Sequence, residues 1–115
     1  MKRQNKLKKR KHFNYIYKQG QSKSSKFVKV VFIKSKYKPF KVGFSVSKKI
    51  GKSVVRNKVK RRMKEIFYSF YDCISHNNNY IFVAKEGIEN LSFELLKQEM
   101  KSVLVKAGVY DEKNI

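Results

Sequence analysis

The chain has 115 residues and carries 29 Lys and Arg against 8 Asp and Glu, a formal charge of +21 that makes it repel itself unless salt or a polyanion screens it. Its 41% hydrophobic content supports one modest core, so a single domain over residues 1–115 is expected. Cys73 is the lone cysteine, which excludes an intramolecular disulfide and a Cys-based metal centre. No apolar run is long enough to cross a membrane, and the basic start leads into no apolar signal core, so a reduced, cytoplasmic setting is expected.

Residues 1–10 form a basic arm with one apolar anchor, Leu7, expected to be extended and to order only on binding. Residues 11–19 place Phe13, Ile16 and Tyr17 at helical spacing, with Gly20 as a stop. The aromatic stripe has two readings. All three residues can pack into the core, or Phe13 and Tyr17, one turn apart, can offer a stacking platform for unpaired bases.

Residues 21–26 read as a polar loop and residues 27–35 as a β-branched strand. Residues 36–40, with the lone proline Pro39, read as a hairpin connection to a strand over 41–47. That strand alternates Val42, Phe44 and Val46 with Gly43, Ser45 and Ser47. Its small, polar face marks a place where either a helix or a nucleic-acid backbone can come close.

After a turn at Gly51, Val55, Val59, Met63, Ile66 and Phe70 recur at steps of three and four, predicting a helix as far as about residue 74. At about 100° per residue, Arg56, Lys60 and Lys64 lie one above another on one flank of that stripe. Asn57 and Arg61 fall on the next strip, with Lys58 and Arg62 elsewhere on the polar side. Together with Lys52 these cations crowd the positive end of the helix dipole and repel one another at i,i+4, and the first acid is Glu65. Indeed all the acids, Glu65, Asp72, Glu86, Glu89, Glu94, Glu99, Asp111 and Glu112, lie beyond residue 64. An array of phosphates would supply the missing negative charge, some of it at the helix start near Ser53. A solvated charged face is the bland alternative.

Residues 76–79 give a turn, 80–85 a short apolar strand and 87–90 a loop. Ser92 then caps a last helix built on Phe93, Leu95, Leu96, Met100, Val103 and Leu104, and residues 107–115 read as a frayed tail. The element order describes an α+β fold, a small two-layer sandwich.

Protein-borne catalysis is hard to build from these residues. A metal-dependent nuclease needs clustered carboxylates, and the basic half has none. A Ser-His-Asp set or a His-rich metal site needs more than His12 and His76. Asp72 and His76, at i,i+4, suit a surface or capping role. Asn57 reads as a plain surface amide or as a donor and acceptor for phosphate, sugar or a hydrated ion. No catalytic and no metal-binding residues are therefore expected.

Nearly the whole chain resembles one family, the protein component of bacterial ribonuclease P. The resemblance is carried by the basic arm and first helix, G-Q-S at Gly20, V-G-F-S-V-S-K-K-I-G, then V-V-R-N-K-V-K-R-R-M-K-E-I-F, and Y-I-F-V-A-K before the last helix. S-V-S-K-K joined to R-N-x-x-K-R at this spacing is far more specific than basic composition. The resemblance implies a ribonucleoprotein endonuclease that removes the 5′ leader of precursor tRNA. In it an RNA subunit carries the active site and most of the magnesium, and the protein assists, broadening substrate recognition and lowering the metal requirement.

By position, Lys48, Lys49, Lys52, Arg56, Asn57, Lys58, Lys60, Arg61 and Lys64 match the family's RNA-binding segment. Phe13, Tyr17, Val28 and Val30 match its leader cleft. The implied partners are the catalytic RNA and precursor tRNA, with no membrane and no obligate protein partner. The implied order is helix-strand-strand-(strand)-helix-strand-helix, with a left-handed βαβ crossover and an additional short central strand that the residue pattern does not isolate. Two departures stand out: Val30 lies where relatives can carry tyrosine, and Lys64 lies where arginine is common, keeping the charge but losing the bidentate fork. The alternative is a general basic RNA-binding protein of ribosomal type.

Overall fold

The structure, a computed structural model, describes residues 5–36 and 38–112. Its elements in chain order are α1 (Arg10–Gln19), β1 (Gln21–Ser24), β2 (Val28–Lys34), β3 (Val42–Ser45), α2 (Ser53–Ser69), β4 (Asn78–Ala84) and α3 (Phe93–Lys106). The strands form a mixed four-stranded sheet in the order β1-β2-β4-β3. β1 and β4 each run antiparallel to β2, and β3 runs parallel to β4, to which α2 connects it.

Period-2 alternation divides the sheet into two faces. Val28, Val30 and Phe32 of β2, Val42 and Phe44 of β3, and Tyr80, Phe82 and Ala84 of β4 point to one side. There they meet Val59, Met63, Ile66 and Phe67 of α2 and Leu96, Met100, Val103 and Leu104 of α3 in the main core. The other face carries Val31 and Ile81, which join Leu7 and Ile16 in a smaller cluster beneath α1. The α+β class expected from the sequence is the one the chain adopts, with α1 adding a partial third layer.

Several local expectations are corrected. The presumed loop 21–26 contains β1, which pairs Gln21 to Phe32 and Ser24 to Lys29. This is the additional strand, and it lies at the sheet edge rather than in its centre. Its Q-S-K-S sequence is exposed on both faces, so it has no apolar alternation to read. Residues 36–40 do not close a hairpin, because β4 sits between β2 and β3.

The central helix stops at Ser69 rather than near 74. The Ser69 hydroxyl donates to the Ile66 carbonyl at 2.6 Å, and the Phe70 N–H donates to the Phe67 carbonyl at 3.0 Å, one residue tighter than an α-helical bond, before a 3-10 turn over Tyr71–Cys73. The C-terminal stretch is held rather than frayed. Val109 is buried, its carbonyl accepts from the Ser75 N–H at 2.8 Å, and the Asp111 N–H donates to the Cys73 carbonyl at 2.7 Å. Residues 113–115 fall outside the described part.

The arm is corrected likewise from residue 5 onward. Asn5 is fully buried and donates through Nδ2 to the Phe40 carbonyl at 2.8 Å, the Leu7 N–H donates to the Val42 carbonyl at 3.0 Å, and Lys6 bridges Val42 in parallel. The arm thus continues the sheet past β3. Residues 1–4 of the expected arm lie outside the described residues. Among the described residues, no helix is long and apolar enough to cross a membrane.

Candidate nucleic-acid interface

Two surfaces converge on the edge of the sheet at β3. The first is α2. Its inner stripe is as expected, with Val59, Met63 and Ile66 buried and Val55 partly so, and this fixes the rotation of its cationic half. Arg56, Lys60 and Lys64 run along one flank, each half-buried at its stem. Lys52, Asn57, Lys58 and Arg61 are exposed, as are Lys48 and Lys49 in the 3-10 turn that precedes the helix.

No carboxylate among the described residues pairs with any of these cations; the ion pair found among them joins Lys101 of α3 to Glu112 of the C-terminal stretch. The N-terminus of α2 has Lys52 as its cap residue, no capping side chain and no acid in its first turn. α3 is the internal contrast. Ser92 accepts from the Leu95 N–H, Glu94 occupies the first turn and Lys106 the last. One helix is electrostatically complete and the other needs an anion.

The Arg56-Lys60-Lys64 flank carries further signs of the same need. Arg56 Nε is buried without a hydrogen-bond partner, and so is the hydroxyl of Tyr68, the next residue along the i,i+4 row. The Lys64 ammonium is held below the usual lysine range, first by burial and then by repulsion from Lys6 and Lys60. Lys6 reaches this flank only because Asn5 and Leu7 pin the arm to β3. Nothing in the residue pattern singles Lys6 out from its basic neighbours, although the Leu7 anchor beside it is legible.

The second surface is the sheet face under α1. The strand registers place Ser22, Val31, Ile81 and Gly43 in one row across the sheet, and α1 lies along it. A Cβ on Gly43 would stand 2.5 Å from Phe13 Cζ, so the absence of a side chain there is what lets the helix close onto the sheet. Phe13 is accordingly partly buried, packed against Leu7, Ile16, Val31 and Ile81, while Tyr17 stays 42% exposed.

Beside that row runs another, Ser24, Lys29, Val83 and Ser45, exposed at Ser24 and partly buried at the other three, with Val83 packed against the small cluster, and it forms the floor of a shallow groove along α1. On the helical wheel Tyr17 stands on this side of α1. Of the two readings of the small face of β3, close approach of a helix is the one seen at Gly43, while Ser45 lies in the groove beside it.

Val28 and Val30 are not part of this groove. Both are 0% exposed and belong to the main core on the opposite face. The β2 residues directed toward α1 are Lys29, Val31 and Ile33. A one-residue slip in placing a strand exchanges its faces, and the run V-K-V-V-F-I, apolar at every position but Lys29, offers too little alternation to set the register.

The other candidates resolve simply. His76 Nε2 bonds the Tyr71 carbonyl at 2.7 Å and its ring stacks on Phe40, a structural role that does not involve Asp72. Asn57 is an exposed helix residue. Among the described residues no group of three His, Cys, Asp or Glu stands close enough to hold a metal ion.

Comparison with known proteins gives a consistent picture. The family model described as Ribonuclease P matches residues 1–108. The ribonuclease P protein component of Clostridium botulinum strain 657 is 36% identical over 110 residues, covering 95% of this chain and 99% of its own. The RNase P protein of Staphylococcus aureus superposes with a TM-score of 0.86 at 30% identity, covering 93% of this chain and 98% of that one. That of Thermotoga maritima superposes with a TM-score of 0.80 at 25% identity, covering 88% and 96%.

Proposed function

The chain belongs to the ribonuclease P protein family, and we propose that it serves as the protein subunit of a ribonucleoprotein that removes the 5′ leader of precursor tRNA. The observation that carries the reading is the acid-free cationic flank of α2, whose orphaned Arg56 Nε and uncapped N-terminus both call for phosphate. In this reading Lys48, Lys49, Lys52, Arg56, Asn57, Lys58, Lys60, Arg61 and Lys64 face the catalytic RNA, with Lys6 joining them from the arm. Phe13 and Tyr17 receive the single-stranded leader over the Lys29-Val83-Ser45 row. The side chains suit each task. Arginine forks and lysine ammonium groups neutralise phosphates without reading sequence, and an aromatic ring over a small, polar floor accepts any unpaired base.

Chemistry at the scissile bond falls to the RNA, which holds the magnesium; the protein contributes affinity and charge compensation. Lowering the repulsion between two RNAs is also what lowers the concentration of divalent ion they require.

The test is cleavage of a precursor tRNA at low magnesium with the protein alone, the catalytic RNA alone and the two together. Cleavage chiefly in the mixture is expected. Cutting by rigorously purified protein alone would refute the division of labour, and a mixture no better than RNA alone would refute the subunit role.

A further inference from the structure

Because α1 lies along the middle row of the sheet face, it leaves a groove on each side, and only the Tyr17 side has been given a role. On the opposite side, where Ile33 of β2 pairs with Asn79 of β4, a cavity of about 240 Å³ opens between α1, the end of β2 and the segment that leads into β3. Its floor is apolar, made by Leu7, Ile16, Ile33 and Pro39, and Tyr15 stands at its edge with half of its surface exposed. Lys34 and Lys36 sit on the rim, and none of the described residues that line it carries a carboxylate. The rim is braced, since the Lys41 backbone N–H donates to Asn79 Oδ1 at 2.7 Å.

We propose that this second groove seats one unpaired nucleotide of an RNA strand, its base against Tyr15 and the apolar floor and its phosphates at Lys34 and Lys36. The inference rests on the RNA-binding reading above and extends it to a surface that reading leaves empty. The volume suits one base with part of its ribose. A duplex hides its base faces and could use only the lysines. An acidic protein segment would answer the charge but leave the aromatic edge and the apolar floor without a planar partner. A single-stranded nucleotide uses all of these features. The strand could be the leader or an unpaired stretch of the catalytic RNA, which share this chemistry.

The test uses the full chain. The Ile33 methyl resonances are followed while a single-stranded RNA oligonucleotide, a blunt RNA duplex or a poly-glutamate peptide is added. The wild type, Tyr15→Ala, Lys36→Glu and the control Lys11→Glu, which alters an exposed outer position of α1 by the same charge, are then compared in affinity for the oligonucleotide. The single strand should shift Ile33 and the duplex should not. Tyr15→Ala should weaken binding on the order of 5- to 50-fold, and Lys36→Glu more than Lys11→Glu.

The assembled holoenzyme separates the sources. A loss confined to long-leader precursor tRNA assigns the nucleotide to the leader, and a loss in affinity for the catalytic RNA assigns it there; either supports the site. An Ile33 signal unmoved by single-stranded RNA, moved equally by the duplex, or moved only by poly-glutamate would overturn the proposal, as would Tyr15→Ala binding like wild type. If the wild type stimulates precursor cleavage while Ile33 stays silent, this inference alone fails. If it does not stimulate cleavage, the underlying reading fails first.

Discussion

Gly43 is the position at which fold and interface are most tightly joined, and Gly43→Ala tests that junction. The added Cβ would lie 2.5 Å from Phe13 Cζ, 2.6 Å from Phe13 Cε1 and 3.1 Å from Leu7 Cδ2. Carbon atoms rest about 3.5–4.0 Å apart, so the ring has to withdraw by about 1 Å. It can do so by leaving its rotamer, or α1 can lift from the Leu7-Ile16-Val31-Ile81 cluster. Overpacking of this kind costs about 1–3 kcal/mol, offset by about 0.5–1 kcal/mol because alanine loses less backbone entropy than glycine.

A net loss of about 1–2 kcal/mol is therefore expected from urea unfolding at fixed salt. Once Phe13→Ala has removed the obstructing ring, Gly43→Ala should become neutral or mildly stabilising, a coupling of about 1–3 kcal/mol between the two positions. Because the same movement displaces Phe13, the single Gly43→Ala variant should also discriminate less between leader-bearing and mature tRNA. Effects that add to within about 0.5 kcal/mol would refute the packing on which α1, and both grooves beside it, depend.

Arg56→Ala or Lys60→Ala should each reduce the slope of log affinity for the catalytic RNA against log salt by about 0.7–0.9; an unchanged slope would remove that residue from the phosphate contacts. Phe13→Ala should weaken binding of leader-bearing tRNA more than mature tRNA, and equal losses would return the ring to a purely packing role. Lys64, whose pKa is lowered in the free protein by burial and by Lys6 and Lys60, should regain its proton beside phosphates. RNA binding at alkaline pH should therefore take up protons, measured by calorimetry in buffers of different ionisation enthalpy, and Lys64→Ala should reduce the uptake.

Tyr80 has its phenol pushed up to about 12 by burial, and it donates to the Ser75 carbonyl at 2.6 Å. The folded state thus keeps the proton that the unfolded state releases near pH 10, so stability is full below that pH and falls as pH rises toward 12. Tyr80→Phe should cost about 0.5–1.5 kcal/mol at neutral pH and make the alkaline fall shallower, read from urea midpoints across pH.

Local chemistry was legible in the chain wherever one element bears it alone. The inner stripe of α2 and the unbroken cationic half around it follow from a single helical period, and the cap at Ser92 from a side chain and an N–H three residues away. The family resemblance rested on short contiguous motifs spread over nearly the whole chain, the most specific being S-V-S-K-K joined to R-N-x-x-K-R.

What the sequence could not settle depends on which elements become neighbours. β4 inserts between β2 and β3, a non-local pairing that no turn signal encodes. The face occupied by Val28 and Val30 follows from strand register, and in a run that is apolar on both faces only the layers packed above and below choose it. Lys6 joins Lys60 and Lys64 because Asn5 and Leu7 dock the arm on β3, so an electrostatic cluster is assembled across more than fifty positions of chain. Period and charge act within a few residues and are written locally; register, docking and the two grooves beside α1 are set by burial shared among distant segments, and only the tertiary structure decides them.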